Sequence, residues 1–356
     1  MKEKLEWSFS ALNTLRKCNR MYYFQYIAAS HHFTIPLRRK AHELKKSKSL
    51  LMWRGSVIDK IMEDEIISRI GDKMPVDYEV MAEAAVELAK RQFSFSENRL
   101  YKIKENSENK IGEDYCILDV HESNVSYQAE DLLKVYASIK EIISGIPKIV
   151  MPDGKLLINY LEEASFIAPN VRKWNFEFEN LKISPQIDLF MIVGSQAVLL
   201  DWKVSESVVS DYSRQLIIEG ITVFDTYRKK AAAGKAKRFS FSDIRLFEVN
   251  LLKQVVKEHL FTKKIADECI DYIYLNSQDI QLLTEGKTFN QLEIDDFPIT
   301  DKEETCLFCK YRSLCTDLIK NNNQYNETTF NNSFSAQQSK QTEIFFPINA
   351  NRVIGN

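Results

Sequence analysis

The sequence predicts an α/β protein, and three observations carry that reading. Helical patterns fill the stretch from about residue 50 to 145, apolar strand-like runs begin at Trp174, and a helix, a strand and a further helix follow from residue 211. At 356 residues the chain is long enough for two structural units, or for one core with a large insertion.

Taken in order, residues 9–29 (FSALNTLRKCNRMYYFQYIAA) form the first predicted helix, with Ser8 or Ser10 as its N-cap. Helices over Trp53–Ile70, Tyr78–Phe93 and Ala129–Ser144 follow, interrupted by polar stretches such as ENSENKIGED. From Trp174, NFEFEN alternates, KISPQIDLFMIV is an apolar-rich run and QAVLLDWKVS is another. Residues 211–230 read as a helix, 243–252 as a strand and Phe261–Leu283 as a helix. The expected division is a mostly helical region over 1–170, a core sheet over 171–260, a C-terminal helix with a cysteine-bearing segment over 261–319, and a tail over 320–356. That tail (NNNQYNETTFNNSFSAQQSKQ within it) is rich in Asn, Gln and Ser, and is expected to be disordered or ordered only on a partner.

Bulk properties exclude several classes. Hydrophobic residues are 44% and charged residues 28% of the chain, an ordinary soluble composition. No run approaches the roughly 20 apolar residues of a membrane span. The first twenty residues lack the apolar segment and cleavage site of a signal peptide, so the expected location is the cytoplasm. A net charge of −2 argues against a generally basic coat but leaves room for a local basic groove. Two clusters, Arg38–Lys48 and Arg228–Arg238, can be read either as phosphate-tracking surfaces or as solvated faces.

The chemistry concentrates in one hairpin. Gly194-Ser195 suits a two-residue turn with glycine first, which sets Val193 opposite Gln196. Continuing that pairing outward sets Asp188 opposite Asp201, with side-chain roots about 5 Å apart. Lys203, two residues on, projects from the same face as Asp201. Like charges opposed on strands of Ile, Leu, Phe, Val and Trp destabilise a sheet unless a cation joins them. Two carboxylates and a backbone carbonyl offer hard oxygen ligands to Mg²⁺ or Mn²⁺, and the lysine can orient water or neutralise a developing phosphate charge. A solvent-facing Asp–Lys pair is the plainer alternative.

Six cysteines, Cys18, Cys116, Cys269, Cys306, Cys309 and Cys315, point to metal or cofactor ligation rather than disulfides in a chain without an export signal. Cys306, Cys309 and Cys315 form a compact C-x₂-C-x₅-C group, with Cys18 lying 288 residues upstream. Four thiolates suit either a [4Fe–4S] cluster or a tetrahedral Zn²⁺, and spacing does not separate the two. Cys116 and Cys269 fit no ligand spacing and read as buried thiols. The five histidines form no helix-spaced metal pair, and His31-His32 reads as a loop feature.

Asp188 followed 13 residues later by Asp201-Trp202-Lys203 resembles the signature of the PD-(D/E)XK nucleases. The early helix SFSALNTLRKCNRMYYFQY, the segment Arg54-Gly55-Ser56-Val57-Ile58-Asp59 and the late CLFCKYRSLC resemble the RecB-like branch, which includes AddB nuclease domains and CRISPR-associated adaptation nucleases. The likeness spans roughly residues 8 to 316. It implies a mixed central sheet flanked by helices, Asp188 and Asp201 as metal ligands, the Trp202 carbonyl as a third, and Lys203 as the catalytic lysine. Where the family usually carries histidine this chain has Asp59, which can still hold Mg²⁺ or Mn²⁺ through oxygen. Glu63, one turn on, shares that face but reads by itself as a solvated residue. Gln215 matches a family glutamine expected to contact substrate or the attacking water, or else reads as a surface residue; Glu219 stands where members often carry tyrosine. The resemblance favours iron–sulfur at Cys18, Cys306, Cys309 and Cys315, as a structural staple closing a long loop. It implies a DNA nuclease acting on single strands or ends, in recombination, repair or antiphage or CRISPR-type defence, alone or with a helicase or other subunit. A catalytically weak DNA-binding or scaffolding subunit is the alternative, as is a zinc-stapled structural protein. Tyr22, Tyr23, Phe24 and Tyr26 could stack on bases but read better as core packing.

Overall fold

The computed structural model of the protein describes residues 5–29, 35–179, 181–206, 212–284, 287 and 291–320. The chain divides into two compact units that interleave in sequence. One comprises His42–Phe176 and Ser184–Tyr272; the other comprises the described residues of Met1–Ala41, Glu177–Ile183 and Ile273–Asn356. Successive segments along the chain therefore do not map one to one onto compact units.

The larger unit is built on a five-stranded sheet. Its strands are β2 (Phe166–Val171), β5 (Ile187–Val193), β6 (Gln196–Lys203), β7 (Ile244–Asn250) and β8 (Val255–His259), in the order β2-β5-β6-β7-β8. All neighbours are antiparallel except β6 and β7, which are parallel. A parallel pair needs a crossover, and the helix Ser213–Ala232 supplies it. Gly220 sits inside that helix because a Cβ there would lie 3.0 Å from Phe261 and 3.2 Å from Leu246 on β7. The helix is thereby allowed close to the sheet, at the roughly 1 kcal/mol that an interior glycine costs.

The other sheet face buries Leu189, Met191, Val198, Leu200, Phe247 and Val249 in the main core. Helices Leu50–Ile61, Tyr78–Glu97 and Ala129–Gly145 cover that core with Trp53, Ile58, Ala85, Ile139 and Ile143. These helices are the ones expected from periodicity, with a π-helical turn, Met62–Ile67, continuing the first. Two strands of this sheet escape the sequence pattern. β2 contains Pro169, which a central strand excludes, and it lies at the sheet edge as proline requires. β8 (VVKEH) is mostly exposed on the opposite edge and has too few apolar residues to stand out.

In the smaller unit, β1 (Leu5–Trp7) pairs in parallel with β4 (Leu181–Ile183), and β3 (Phe176–Phe178) completes the order β1-β4-β3. Ser8 caps the helix Phe9–Lys17 by accepting from the Ala11 N–H at 3.1 Å. The continuous helix expected over 9–29 breaks at Cys18, whose backbone is extended, and resumes at Asn19. Tyr23 and Phe24 are buried, against Phe297 and Tyr311 respectively. Packing is therefore their observed role. The polar tail from residue 321 lies outside the described residues, as do His31 and His32.

Candidate active site

The hairpin register is the one the turn predicts: Val193 faces Gln196, and the pairing runs outward to Leu189 and Leu200. Gly194 takes φ +58°, as a glycine-first turn demands. Asp188 and Asp201 are the next pair outward. The Trp202 backbone N–H donates to Asp188 Oδ2 at 3.0 Å, tying one strand's carboxylate to the other strand. Asp201 is fully buried, and its Oδ2 forms an ion pair with Lys203 Nζ. The Lys203 ammonium also lies 4.6 Å from the ring centre of Tyr212.

The crossover helix backs this pair. Gln215, in its first turn, donates Nε2 to Asp201 Oδ1 at 2.8 Å and to Glu219 Oε1 at 3.1 Å. Glu219 is wholly buried, and its Oε2 has no hydrogen-bond partner among the described residues. Sequence reasoning registered Glu219 only as a departure from tyrosine. Its four-residue spacing from Gln215 was the one signal that they share a face.

Crowded carboxylates hold protons more tightly. Burial, then the charges of Asp201 and Asp59, push Asp188 up to about 7 against the opposing pull of Lys203. Burial raises Asp201 as well, with Lys203 working against it. Burial, Asp201 and Asp188 together lift Glu219 well above the ordinary carboxylate value. Burial by itself would lower Lys203, but Asp201, Asp188 and Glu219 outweigh it and hold the ammonium above its usual value.

Asp59 approaches from the helix Leu50–Ile61. Its side chain keeps exposed surface, yet loss of hydration pushes its carboxyl up to about 6, with Lys203 opposing and Asp201 adding. Asp59, Glu63 and Asp188 line one cavity of about 40 Å³ with Asn170, Gln186 and Trp202. Glu63 is not the freely solvated residue its helix position predicts. It is half-buried, and Asn170 Nδ2 lies 2.7 Å from each of its oxygens. Asn170 occupies the position on β2 facing Asp188, between the pairs Pro169–Leu189 and Val171–Ile187. Its φ of +48° is left-handed, a conformation asparagine tolerates better than most residues. No sequence signal marked it, because its strand was hidden by Pro169.

Among the described residues no three Asp, Glu, His or Cys side chains are disposed to hold a metal ion. In the cleft the reason is visible: each carboxylate of the hairpin is turned to a protein partner, Lys203, Gln215 or the Trp202 N–H. The donor chemistry nevertheless fits a hard divalent cation. Asp201 raises the proton affinity of Asp188, both aspartates raise that of Glu219, and among the described residues one Glu219 oxygen has no hydrogen-bond partner.

In the smaller unit, Cys18 is buried and Cys306, Cys309 and Cys315 are half-buried, all as free thiols. Burial raises the Cys309 thiol, and Cys18, Cys315 and Cys306 each add to that rise. Cys116 and Cys269 are buried thiols pushed up to about 12 by burial, as their lack of ligand spacing implies. The basic clusters are only partly free surface. Arg38 is 2% exposed, Arg228 and Lys229 pair with Asp225, and Lys230 lies over the Trp174 ring.

A family model described as the PD-(D/E)XK nuclease superfamily matches residues 6–316. Among solved structures, a protein of Eubacterium rectale assigned as an exonuclease is 12% identical, with 71% of this chain and 85% of that chain covered and a TM-score of 0.28. The protein SSO0001 is 14% identical, with 64% of this chain and 93% of that one covered and a TM-score of 0.26. No curated protein matches.

Proposed function

This chain belongs to the PD-(D/E)XK nuclease superfamily, and from that premise we propose that it hydrolyses phosphodiester bonds of DNA at the Asp188–Asp201–Lys203 cleft. Its mixed sheet flanked by helices fits the core of that family. The observation that carries the proposal is Asp188 and Asp201 on neighbouring strands, one step beyond the pair Leu189–Leu200, with Lys203 ion-paired to Asp201.

Asp188, Asp201 and the Trp202 carbonyl, with Asp59 beside them, would hold Mg²⁺ or Mn²⁺. Such an ion, when bound, neutralises charge on the scissile phosphate and acidifies the attacking water. Lys203 then stands ready with its ammonium for the charge that develops on the phosphate oxygens as water oxygen bonds to phosphorus and the bond to the departing sugar oxygen breaks. Gln215 donates Nε2 to two carboxylates, so its role is to orient Asp201, with Glu219 fixing the amide in turn. Single strands or strand ends are the proposed substrates, in recombination, repair or phage defence, with a helicase or other subunit as a possible partner. No described helix is long and apolar enough to cross a membrane.

Cys18, Cys306, Cys309 and Cys315 are proposed to hold a [4Fe–4S] cluster of structural role, with zinc the competing occupant. The convergence of their fields on Cys309 supports this reading. Iron content and a brown colour separate the two, since a zinc protein is colourless.

The test of the activity is cleavage of labelled single- and double-stranded DNA by anaerobically purified protein in Mg²⁺, Mn²⁺ or EDTA, beside Lys203→Ala. Cutting that needs both the cation and Lys203 is the expected result. Absence of cutting by a folded, cluster-loaded protein would favour a binding or scaffolding subunit, the reading that Asp59 in the family's histidine position favours.

A further inference from the structure

Arg54 lies on the helix Leu50–Ile61, five residues before Asp59, and is 6% exposed. Its guanidinium donates Nη1 to Ser138 Oγ at 3.1 Å and Nη2 to the carbonyl of Val204 at 3.3 Å, while Nε has no partner among the described residues. Both acceptors are neutral. Among the described residues no carboxylate lies within ion-pairing distance of Arg54, and the opposing charge it feels, Glu206, is itself paired with Lys253 at 2.5 Å. A desolvated guanidinium without a counter-ion is costly, and a bound anion is the usual relief.

Beside Arg54 lies a cavity of about 380 Å³. Arg54 lines it together with Ser49 and Leu50, the cap and first residue of the same helix, and with Ser126, Tyr127 and Lys134. Ser49 Oγ accepts the Met52 N–H at 3.3 Å and the Ser49 carbonyl that of Trp53 at 2.8 Å, so the N–H groups of Leu50 and Leu51 are the ones left at the positive end of the helix dipole. Two carboxylates share the lining. Asp131 accepts the Gln128 N–H at 3.1 Å and pairs with Lys134 at 3.5 Å, so it is already occupied. Asp119 begins the short helix Asp119–Glu122 and forms no ion pair with Arg54.

We infer that this cavity binds a phosphate group of the nucleic-acid strand, gripped by Arg54 and the first turn of the helix Leu50–Ile61. The inference rests on the proposed nuclease activity for the identity of the strand. A guanidinium fork and a helix N-terminus are both suited to phosphate oxygens. Arg54 reaches the carbonyl next to Lys203 and shares a helix with Asp59, and on the proposed activity the phosphate is assigned to the strand that enters the cleft. A terminal phosphate and an internal phosphodiester present the same chemistry.

The experiment is anisotropy titration of the full-length protein in EDTA, which prevents cutting, with single-stranded oligonucleotides bearing a 5′-phosphate or a 5′-hydroxyl, over a salt series. Arg54→Gln is expected to weaken binding about tenfold and to lower the salt slope by about 0.7, the value for one lost contact to a single strand. Val125→Asp puts a carboxylate on the cavity wall at a residue 48% exposed, so it tests the site without disturbing the core. If Arg54→Gln fails to fold, Val125→Asp decides. Inorganic phosphate should raise the melting temperature of the wild type and of neither variant. Loss confined to the 5′-phosphorylated strand assigns a terminal phosphate, and equal loss with both strands assigns an internal one. Unchanged affinity and slope in the folded variants would overturn the inference, as would a wild type that gains nothing from phosphate and has no affinity for either strand. If the wild type fails to cut DNA in Mg²⁺ or Mn²⁺ while both variants lose phosphate binding, the nuclease reading falls and the phosphate site stands.

Discussion

In the larger unit, Asp188 and Asp201 meet because a two-residue turn folds one strand back on its neighbour, and every contact that holds them lies within the sheet or the helix after it. In the smaller unit, Cys18 and Cys306 stand 288 residues apart in the chain, and a break between two helices and one short hydrogen-bonded segment, Cys306–Cys315, are what fix their places. The first cluster is positioned by covalent proximity and register whether or not a cation is present. The second is held by packing such as Phe24 on Tyr311 and Tyr23 on Phe297, and a shared cofactor would add the closure the chain lacks. Removing a ligand should therefore silence the cleft without unfolding it, but loosen the cysteine region itself.

The largest expected effect is on catalysis. Asp201→Ala should lower metal-dependent cleavage by at least about 10³-fold, the scale for losing a preorganised charged group at a reacting centre. Its circular dichroism and melting should match or exceed those of the wild type, because a buried charge has gone. A large fall in stability would mean that Asp201 is structural.

The cysteine region should behave the opposite way. Cys309→Ser should abolish bound iron and the brown colour and lower melting by several degrees, since site occupancy and folding are linked for such ligand sets. Divalent-cation binding at the cleft, measured by calorimetry in the same variant, should persist. Zinc in place of iron would keep the stability argument and correct the cofactor. Equal melting of variant and wild type would remove the staple.

The same contrast separates the features that are legible in the sequence from those that are not. Hairpin register follows from one glycine and the two-residue period of a strand, so the facing of Val193 and Gln196 was legible, and with it the Asp188–Asp201 pair. The main helices were legible from their apolar spacing. Asn170 was not, because its strand carries a proline and its left-handed backbone leaves no mark in the pattern. Nor was the burial of Glu219, since a carboxylate at i+4 from a glutamine is as ordinary on a solvated face as in a cleft. The cysteine group had spacing on one side only; Cys18 joined it through resemblance, and its burial at a helix break is a tertiary fact.

Glu219 gives a smaller, signed effect. Its proton is held more tightly in the folded chain than in the unfolded one, so the folded state binds more protons above the ordinary carboxylate value. Stability then falls as pH rises through that range, the reverse of a salt-bridged carboxylate. Glu219→Gln removes the titration. In EDTA the variant should be about 1–3 kcal/mol more stable than the wild type at pH 8, the range for an unsatisfied buried polar group, and the gap should shrink toward pH 5. Adding Mg²⁺ should narrow it at pH 8. A gap independent of pH would mean that Glu219 holds its proton no more tightly in the folded chain than in the unfolded one.

The smallest effect concerns Asp59, where a histidine is the family's habit. Asp59 keeps exposed surface while its carboxyl is pushed up to about 6, so near neutral pH it is mostly ionised but readily protonated. An imidazole in its place offers one nitrogen where the carboxylate offered two oxygens, and nitrogen ligands favour transition metals over Mg²⁺. Asp59→His should therefore raise the ratio of Mn²⁺- to Mg²⁺-supported cleavage by less than about tenfold, a change of under about 1.4 kcal/mol. The imidazole titrates at about 6.5, so the fall in rate on acidification should persist and begin at a slightly higher pH than with Asp59. Both should appear in one series of rates against pH in each metal. A variant with an unchanged metal ratio and pH profile would place Asp59 at the edge of the cleft, leaving Asp188 and Asp201 to hold the cation without it.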